Sequence, residues 1–141
     1  MPDVVHSWPI RVYYEDTDAI GIVYYANYLK FAERGRTELM RALGASHSEM
    51  IATFDATFAV SRCEVDYLKP ARLDDQLTVE TRVLDVGAAV VLLDQRILHG
   101  DELLVRLKIR IACLNRNGRP QRLPGPVRAG LTAYRIPEEL V

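Results

Sequence analysis

The residues that could do chemistry are concentrated in one stretch near the N-terminus, residues 14–28. It carries two aspartates, Asp16 and Asp18, followed by Gly21 and a group of tyrosines. Local sequence alone favours a solvated loop acid or a helix-capping residue for Asp18, and stabilisation of the loop for Asp16. Gly21 indicates a backbone turn or a close approach to a ligand. A helix that begins nearby would direct free N–H groups and the positive end of its dipole at developing negative charge.

Other residues of this stretch admit both a structural and a functional role. Tyr24, Tyr25 and Tyr28 form an aromatic group at a predicted helix start, where such residues belong to the core or an interface more often than to a catalytic site. Asn27 either bonds to the loop before it or caps a turn, and the structural role is favoured. Tyr25 is given a supporting role because of its position.

The spacing of histidines and cysteines does not indicate a metal site. His6, His47 and His99 lie in the predicted tail, a turn and a hairpin, and we expect all of them on the surface. Cys63 and Cys113 lie in alternating apolar segments without a second ligand at metal-binding spacing. They are expected to be buried, reduced thiols.

One strand and one long helix are expected to position the polar stretch. Residues 12–14 predict a short strand that enters the loop. From Tyr25 onward, apolar residues recur at steps of three or four, which predicts an amphipathic helix that ends with a cap at Gly44. Gly35 lies on or beside its apolar side and costs roughly 1 kcal/mol relative to alanine, so close packing against a sheet is the expected compensation.

After the helix the pattern changes to that of strands. A short helical turn is expected near residues 46–52, and a loop followed by a short turn near the C-terminus. Alternation of apolar and polar residues predicts four strands, over residues 57–68, 77–84, 89–98 and 103–114. We therefore expect an α+β fold in which a meander of four antiparallel strands curves around one long central helix.

The composition limits the possible classes. A chain of 141 residues with 49% hydrophobic and 26% charged residues indicates one globular domain over 1–141. Its formal net charge of -1 provides no global attraction to nucleic acid, so no nucleic-acid partner is expected. The first residues lack the features of a signal peptide and no apolar run could span a bilayer, so a cytoplasmic location is expected.

The motif resembles that of a known family. Residues 14–28, with the helix residues Phe31, Glu33 and Arg34, resemble the 4-hydroxybenzoyl-CoA thioesterase family of hotdog proteins, and most of all the Tol-Pal-associated acyl-CoA thioesterases. The similarity returns at residues 65–75, with the segment Pro-Ala-Arg-Leu-Asp-Asp. An Asp-x-x-Gly motif alone is weak evidence, but its combination with the aromatic helix start and the second segment is specific.

The resemblance assigns roles to individual positions. The family's catalytic aspartate falls on Asp18, which implies that this carboxylate attacks the thioester carbonyl or activates the water that does so. The helix start near Tyr25 matches the family's electrophile-binding element. Many Tol-Pal-associated members carry histidine where this chain has Tyr25. Acid–base chemistry by an imidazole is therefore excluded at this position, and the Tyr25 hydroxyl can only donate a hydrogen bond. The substrate-binding positions implied are Gly21, Val23, Tyr24, Asn27, Lys69 and Arg72.

The resemblance also implies the substrate and the assembly. The substrate is an acyl-CoA, hydrolysed without a metal, nucleotide or redox cofactor, and its acyl group is left open. The active unit is a homodimer or homotetramer with each site between subunits, which agrees with the need of a long curved sheet to pair its edges. An acyl-carrier protein and inner-membrane components of the Tol-Pal system are further candidate partners, with a location peripheral to that membrane. Candidate ligands for the CoA phosphates are Arg62, Lys69, Arg72, Arg116, Arg119 and Arg122, with Lys69 and Arg72 preferred.

Two other functions are compatible with such a fold. A hotdog dehydratase acting on acyl chains tethered to carrier protein would require a histidine near the helix start, where Tyr25 stands. A non-catalytic acyl-CoA-binding or envelope-interaction protein would not need the intact element from Asp18 to Tyr25. The sequence therefore favours an acyl-CoA thioesterase.

Overall fold

This computed structural model describes residues 5–137, along which five strands and three α-helices follow one another. A 3₁₀ turn at Tyr14–Asp16 lies between the first strand and the first helix. The strands and helices are, in chain order, β1 (His6–Arg11), α1 (Asn27–Ala42), α2 (His47–Phe54), β2 (Thr57–Tyr67), β3 (Gln76–Val86), β4 (Val90–His99), β5 (Glu102–Leu114) and α3 (Gly125–Ala133).

The five strands form one antiparallel sheet in the order β1-β3-β4-β5-β2. Irregularities in register interrupt the pairing of β2 with β5, of β3 with β4 and of β4 with β5. Such bulges bend strands and increase their twist, which lets a sheet curve around a helix. Helix α1 packs mainly against β1, β3 and β4. The predicted α+β layout, a curved sheet with one long helix against its face, is confirmed.

Close packing explains the glycine within α1. A Cβ at Gly35 would lie 2.5 Å from Cγ1 of Val79 on β3, so no larger residue fits without a shift of the sheet or the helix. Phe31 and Leu39, on the same side of α1, are buried in the core. The helix is followed by Gly44 with φ of +77°, the left-handed geometry that favours glycine after a helix. Both glycine predictions are confirmed.

The first strand lies earlier in the chain than predicted. Residues 12–14 were expected to form it, but β1 ends at Arg11, Val12 follows it as a buried residue, and Tyr14 begins the 3₁₀ turn. Pro9 conceals the strand in the sequence because proline cannot donate to a strand ladder. It is tolerated here because β1 is an edge strand, paired only with β3.

The prediction of a four-strand meander is wrong for β2. Only β3, β4 and β5 form a meander, whereas β2 pairs with β5 at the far edge of the sheet. The segment 68–75 is too long for a tight hairpin and crosses from one edge toward the other. Its first two N–H groups, those of Leu68 and Lys69, donate to the carbonyl oxygen of Leu104 on β5. The connection is therefore fixed by long-range bonds that alternation does not encode.

The edge position of β2 also overturns one cysteine prediction. Cys113 on the interior strand β5 is buried, as expected, whereas Cys63 on the edge strand β2 is exposed. The histidine prediction is wrong in part as well. His6 and His47 are half-buried, and burial lowers the pKa of each imidazole, whereas His99 is exposed.

Candidate active site

Asp18 sits in a tight turn that its own side chain helps to form. The N–H of Gly21 donates to the carbonyl oxygen of Asp18 at 3.1 Å, and the N–H of Ile20 donates to Oδ1 of the same residue at 2.9 Å. This pairing of side chain and backbone is an Asx turn. Gly21 adopts φ of +81°, which a residue with a side chain rarely adopts. The carboxylate is exposed, and Oδ2 has no hydrogen-bond partner within residues 5–137.

Asp16 supports this loop and takes no exposed position itself. Its side chain is buried, with 8% exposure, and its Oδ2 accepts a 2.8 Å hydrogen bond from the N–H of Tyr13. Its backbone carbonyl oxygen accepts from the N–H of Tyr24 and from Nδ2 of Asn27, each at 2.9 Å. The loop before Asp18 is thereby tied to the start of α1. The structural role predicted for Asp16 is confirmed, and Asn27 does bond to the loop.

The second family segment packs directly against the first. The N–H of Val23 donates to the carbonyl oxygen of Ala71 at 2.9 Å, and Ile22 forms an isolated bridge with Arg72. The N–H of Ala71 in turn donates to the buried hydroxyl of Tyr28 on α1 at 2.9 Å. Two segments about 50 positions apart in the sequence therefore build one loop pair beside the helix start.

The start of α1 presents unpaired backbone donors. Within residues 5–137, the N–H groups of Tyr25 and Ala26 donate to no acceptor, and no side chain caps the helix. These free groups and the positive end of the helix dipole would stabilise an oxyanion. The Tyr25 side chain is 61% exposed and its ring packs edge-on against Tyr67 of β2, with centroids 6.0 Å apart.

Tyr67 also belongs to the candidate site, although no role was predicted for it from the sequence. Its hydroxyl donates to the carbonyl oxygen of Tyr25 at 3.2 Å, which holds the helix start against the end of β2. Burial raises the pKa of the Tyr67 hydroxyl above its usual value, and Cys63, Tyr25 and Tyr28 act in the same direction. The proton therefore stays on this donor. The only sequence signal was its place in the second family segment, because the contact spans 42 positions.

The substrate-binding residues predicted near the helix start, Gly21, Val23, Tyr24 and Asn27, differ in their exposure. Gly21, Tyr24 and Asn27 lie around the loop and the helix start, and Tyr24 is half-exposed at 48%. Val23 instead points into the core, with 3% exposure. Beside Asp18 the surface forms an open depression of about 430 Å³ that Gly21 and Leu73 also line. The loop thus leaves space for a ligand next to the free carboxylate oxygen.

The candidate phosphate ligands differ in whether an acidic partner already holds them. Lys69 Nζ lies 3.1 Å from Glu102, and the guanidinium groups of Arg62 and Arg116 pair with Glu64 and Asp55. Those that form no ion pair within the described part of the chain are Arg72, Arg119 and Arg122. Of these, Arg72 is the one that bridges to the loop of the candidate site.

Within residues 5–137, no cluster of histidine, cysteine, aspartate and glutamate side chains has a geometry that could hold a metal ion. No helix in that range is both long enough and apolar enough to cross a membrane.

Comparison with known proteins decides the family. A profile of the Thioesterase superfamily matches residues 20–106, more than half of the chain. The chain belongs to this superfamily. It is 42% identical over 115 residues to the acyl-CoA thioesterase YbgC of Haemophilus influenzae, across 82% of this chain and 85% of that protein. It is 39% identical over 116 residues to the acyl-CoA thioester hydrolase YbgC of Escherichia coli O157:H7, across 82% and 86%.

A solved structure supports the same placement. The crystal structure of a probable thioesterase from Bartonella henselae superposes on this chain with a TM-score of 0.83 at 39% identity, covering 85% of this chain and 99% of that one. The resemblance found in the sequence is confirmed, and so is the hotdog fold that it implied. The protein is a thioesterase.

Proposed function

We propose that this thioesterase hydrolyses an acyl-CoA to the free acid and CoA, with Asp18 as the catalytic carboxylate and the start of α1 as the oxyanion site. The observation that carries the proposal is that the N–H groups of Tyr25 and Ala26 donate to no acceptor within residues 5–137. The carbonyl oxygen of Asp16 accepts from Tyr24 and Asn27, and these bonds join the helix start to the Asp18 loop. The acyl-CoA substrate is carried over from the YbgC relatives, whose names state it.

The proposed reaction polarises the thioester and delivers an oxygen nucleophile to it. The carbonyl oxygen faces the free N–H groups at the start of α1, where the negative charge of the tetrahedral intermediate is stabilised. Asp18 has one carboxylate oxygen held by Ile20 and the other without a partner in the described chain, so the second can act. When the intermediate collapses, the C–S bond breaks and CoA leaves as the thiolate, which takes up a proton.

Two roles are open to the carboxylate. As a general base, Asp18 takes a proton from water while the water oxygen bonds to the carbonyl carbon. As a nucleophile, it forms an acyl-aspartyl anhydride that water then hydrolyses. If water attacks the aspartyl carboxyl carbon of this anhydride, a single turnover in ¹⁸O-labelled water leaves the label on Asp18. The general-base route instead places the label in the released acid, so label found on Asp18 identifies the nucleophilic route.

Tyr25 takes a supporting role in this proposal. Its exposed ring stands at the helix start, where the phenol hydroxyl can donate a hydrogen bond to the substrate. Tyr24, Asn27 and Gly21 shape the surface around the thioester.

Arg72 is the preferred contact for the CoA phosphates. It lies beside the Asp18 loop and has no acidic partner among residues 5–137, whereas Lys69 would first have to leave Glu102. A guanidinium also pairs with phosphate oxygens through two parallel hydrogen bonds, which an ammonium cannot do.

The working unit we propose is at least a homodimer formed through β2. This strand of eleven residues lies at the edge of the sheet, where its outer row of N–H and C=O groups has no strand beside it in the described chain. Val60 and Tyr67 on it are 50% and 46% exposed. Pairing with the same strand of a second copy would satisfy these groups. Association with an acyl-carrier protein or Tol-Pal components at the inner membrane is proposed on resemblance alone.

A thiol-release assay tests the proposed activity. Purified protein is given acyl-CoAs from acetyl to palmitoyl, with benzoyl-CoA and 4-hydroxybenzoyl-CoA, and Asp18→Asn is measured in parallel. The asparagine keeps the oxygen that accepts from Ile20, so the fold is retained while kcat falls about 10²- to 10⁴-fold. Asp101→Asn, in the exposed β4–β5 turn, is the matched control and should leave kcat unchanged.

Equal turnover by wild type and Asp18→Asn would contradict the catalytic assignment. Tight binding of CoA thioesters by a folded wild-type protein that hydrolyses none of them would favour the acyl-CoA-binding alternative.

A further inference from the structure

A cavity separates helix α1 from the edge strand β2. Its deeper part, of about 230 Å³, is lined mainly by apolar side chains, among them Leu39, Met40, Phe58, Leu93, Ile111 and Leu131. A second part of about 210 Å³ adjoins it along β2 and begins at Leu29, in the first turn of α1. Glu33, Arg36 and Val60 line both parts, so together they form one groove.

The groove follows one face of α1 away from the proposed oxyanion site. Leu29, Glu33, Arg36 and Met40 are spaced by three or four residues, which places them in a row along the helix. Nine positions separate Asn27 from Arg36, a distance of roughly 13 Å along the axis. An acyl chain whose carbonyl lies at the start of α1 would therefore reach Arg36 with its distal part.

Arg36 is held in the groove by a buried polar network. Its Nη1 donates to Oε1 of Gln95 on β4 at 3.0 Å. Gln95 is fully buried, and its Nε2 donates to the carbonyl oxygen of Ala32 at 3.0 Å and to Oγ1 of Thr81 at 2.9 Å. Every donor and acceptor of the Gln95 amide points in a fixed direction, so the guanidinium is preorganised before any ligand arrives.

The charge of Arg36 is only weakly balanced by the protein. Within residues 5–137 no carboxylate forms an ion pair with it, and its remaining N–H groups have no protein acceptor. Burial lowers the pKa of the guanidinium, while Glu33, at the rim, acts in the opposite direction without pairing. A guanidinium carries five N–H donors and no acceptor. A half-buried cation of this kind, facing an apolar groove, is costly unless an occupant of the groove supplies oxygen atoms.

We propose that Arg36 selects acyl groups that carry an oxygen atom, as a hydroxyl or a carboxylate, on the distal part of the chain. This inference rests on the proposed acyl-CoA hydrolysis and adds the class of acyl group. The apolar walls bind the methylene groups, and the guanidinium takes the oxygen in place of water. A plain alkyl chain of the same length would displace that water and leave the cation without a partner.

Matched pairs of substrates test the selection. Each pair has one chain length and differs only at its end: hexanoyl-CoA with adipoyl-CoA, octanoyl-CoA with suberoyl-CoA, decanoyl-CoA with sebacoyl-CoA, and the ω-hydroxyacyl-CoA of each length. We expect kcat/KM to favour an oxygenated member over the plain chain by about 10- to 100-fold at one or more lengths, the scale of a hydrogen bond to a charged group. Glu33 also lines the groove and should repel a carboxylate, so the ω-hydroxyacyl-CoA should compete with the dicarboxylic one.

Arg36→Met removes the charge and keeps a long, unbranched side chain. This variant should lose the preference or reverse it in favour of the plain chain, and Arg36→Lys should restore part of it. Arg41→Met, on the exposed part of the same helix outside the groove, is the matched control and should keep the wild-type ratio. Because the readout is a ratio on one protein, a general loss of stability does not imitate the effect.

Binding separates failure of this inference from failure of the proposed reaction. The non-hydrolysable thioethers S-decyl-CoA and S-(10-hydroxydecyl)-CoA are compared by calorimetry, so the preference is measured even where turnover is absent. Preferred binding of the hydroxylated thioether that Arg36→Met abolishes supports the selection without any hydrolysis. The inference is overturned if wild type and Arg36→Met both hydrolyse or bind the plain chains at least as well as the oxygenated ones at every length.

Discussion

The side-chain amide of Asn27 donates a 2.9 Å hydrogen bond to the backbone carbonyl oxygen of Asp16, and this bond joins the start of α1 to the loop of the candidate carboxylate. The N–H of Tyr24 donates to the same oxygen. One carbonyl therefore fixes the position of Asp18 relative to the free N–H groups of the helix. In the proposed mechanism, the distance between nucleophile and oxyanion site depends on this junction.

Asn27→Ala should damage turnover more than stability. Loss of one partly buried hydrogen bond costs about 1 kcal/mol, because the Tyr24 N–H still satisfies the carbonyl oxygen. A small displacement of the catalytic groups can lower the rate by up to about 10²-fold. We expect kcat to fall about 10- to 100-fold, measured by thiol release, with a fall of a few degrees in Tm. Asn117→Ala, in the exposed turn after β5, is the control, and an equal effect of both variants would contradict a role for the junction.

Arg72→Gln should weaken the binding of CoA and spare the chemistry. The variant removes a guanidinium that has no acidic partner in residues 5–137, so KM for acyl-CoA should rise about 10-fold while kcat changes little. The same acyl group on N-acetylcysteamine, which carries no phosphate, should be hydrolysed equally by wild type and variant. Lys69→Gln should have a smaller effect because Lys69 pairs with Glu102. A rise in KM for both thiol carriers would assign Arg72 to the acyl or thioester region.

Acid should destabilise the fold through the half-buried histidines. Burial lowers the pKa of His47 from its usual 6.5, Arg36 and Arg41 lower it further, and Glu33 opposes them; burial also lowers the pKa of His6. Below about pH 6.5 the unfolded chain binds protons that the folded chain resists binding. Stability is therefore full above the unfolded pKa and declines as the pH falls through the lowered, folded pKa.

Replacement of a half-buried histidine should reduce this acid sensitivity. For His47→Gln and, separately, for His6→Gln, we expect a shallower decline of Tm between about pH 7 and about pH 5 than in wild type. His99→Gln removes the exposed histidine at the end of β4 and serves as the control. Parallel declines in wild type, His47→Gln and His6→Gln would show that other groups dominate the acid response.

The sequence predicted well what depends on neighbours along the chain. Alternation located β3, β4 and β5 because each half-buried strand carries its own pattern, and the periodicity of α1 was visible for the same reason. Alternation also found β2 as a strand. It could not assign β2 to the far edge, because that placement depends on the crossing segment 68–75 and its bonds to Leu104. Pro9 concealed β1 in the sequence, because proline is acceptable within a strand only when that strand lies at the edge of a sheet.

The candidate site divides along the same line. The turn at Asp18 and Gly21 is local, so its residue types predict it, and the family resemblance supplied the role of the carboxylate. The contacts of Tyr67 with Tyr25 and of Tyr28 with Ala71 connect residues 42 and 43 positions apart, and no local pattern predicts them. Arg36 has the same character, because its position in the groove depends on Gln95, 59 positions away.

The contact of Gly35 with Val79 provides a test of how tightly α1 is seated on the sheet. Alanine is the better helix former by about 1 kcal/mol. Its Cβ, however, would meet Cγ1 of Val79 at 2.5 Å. Overpacking of a core costs about 1–3 kcal/mol, so Gly35→Ala should lower the free energy of unfolding, measured by urea denaturation. Val79→Ala alone should also lower it, because it leaves a cavity.

The double variant separates this clash from a general effect on the helix. With Val79→Ala in place, the closest obstacle to the new Cβ is gone, so Gly35→Ala should cost less there than in wild type or become stabilising. We expect a coupling free energy of about 1 kcal/mol or more between the two positions. Strict additivity of the two substitutions would mean that the helix shifts to accommodate a side chain at residue 35, and that the sheet does not fix the position of α1. In that case the alignment of the helix start with Asp18 would have to come from the hydrogen bonds at the helix start itself, such as those of Asn27 with Asp16 and of Tyr67 with Tyr25.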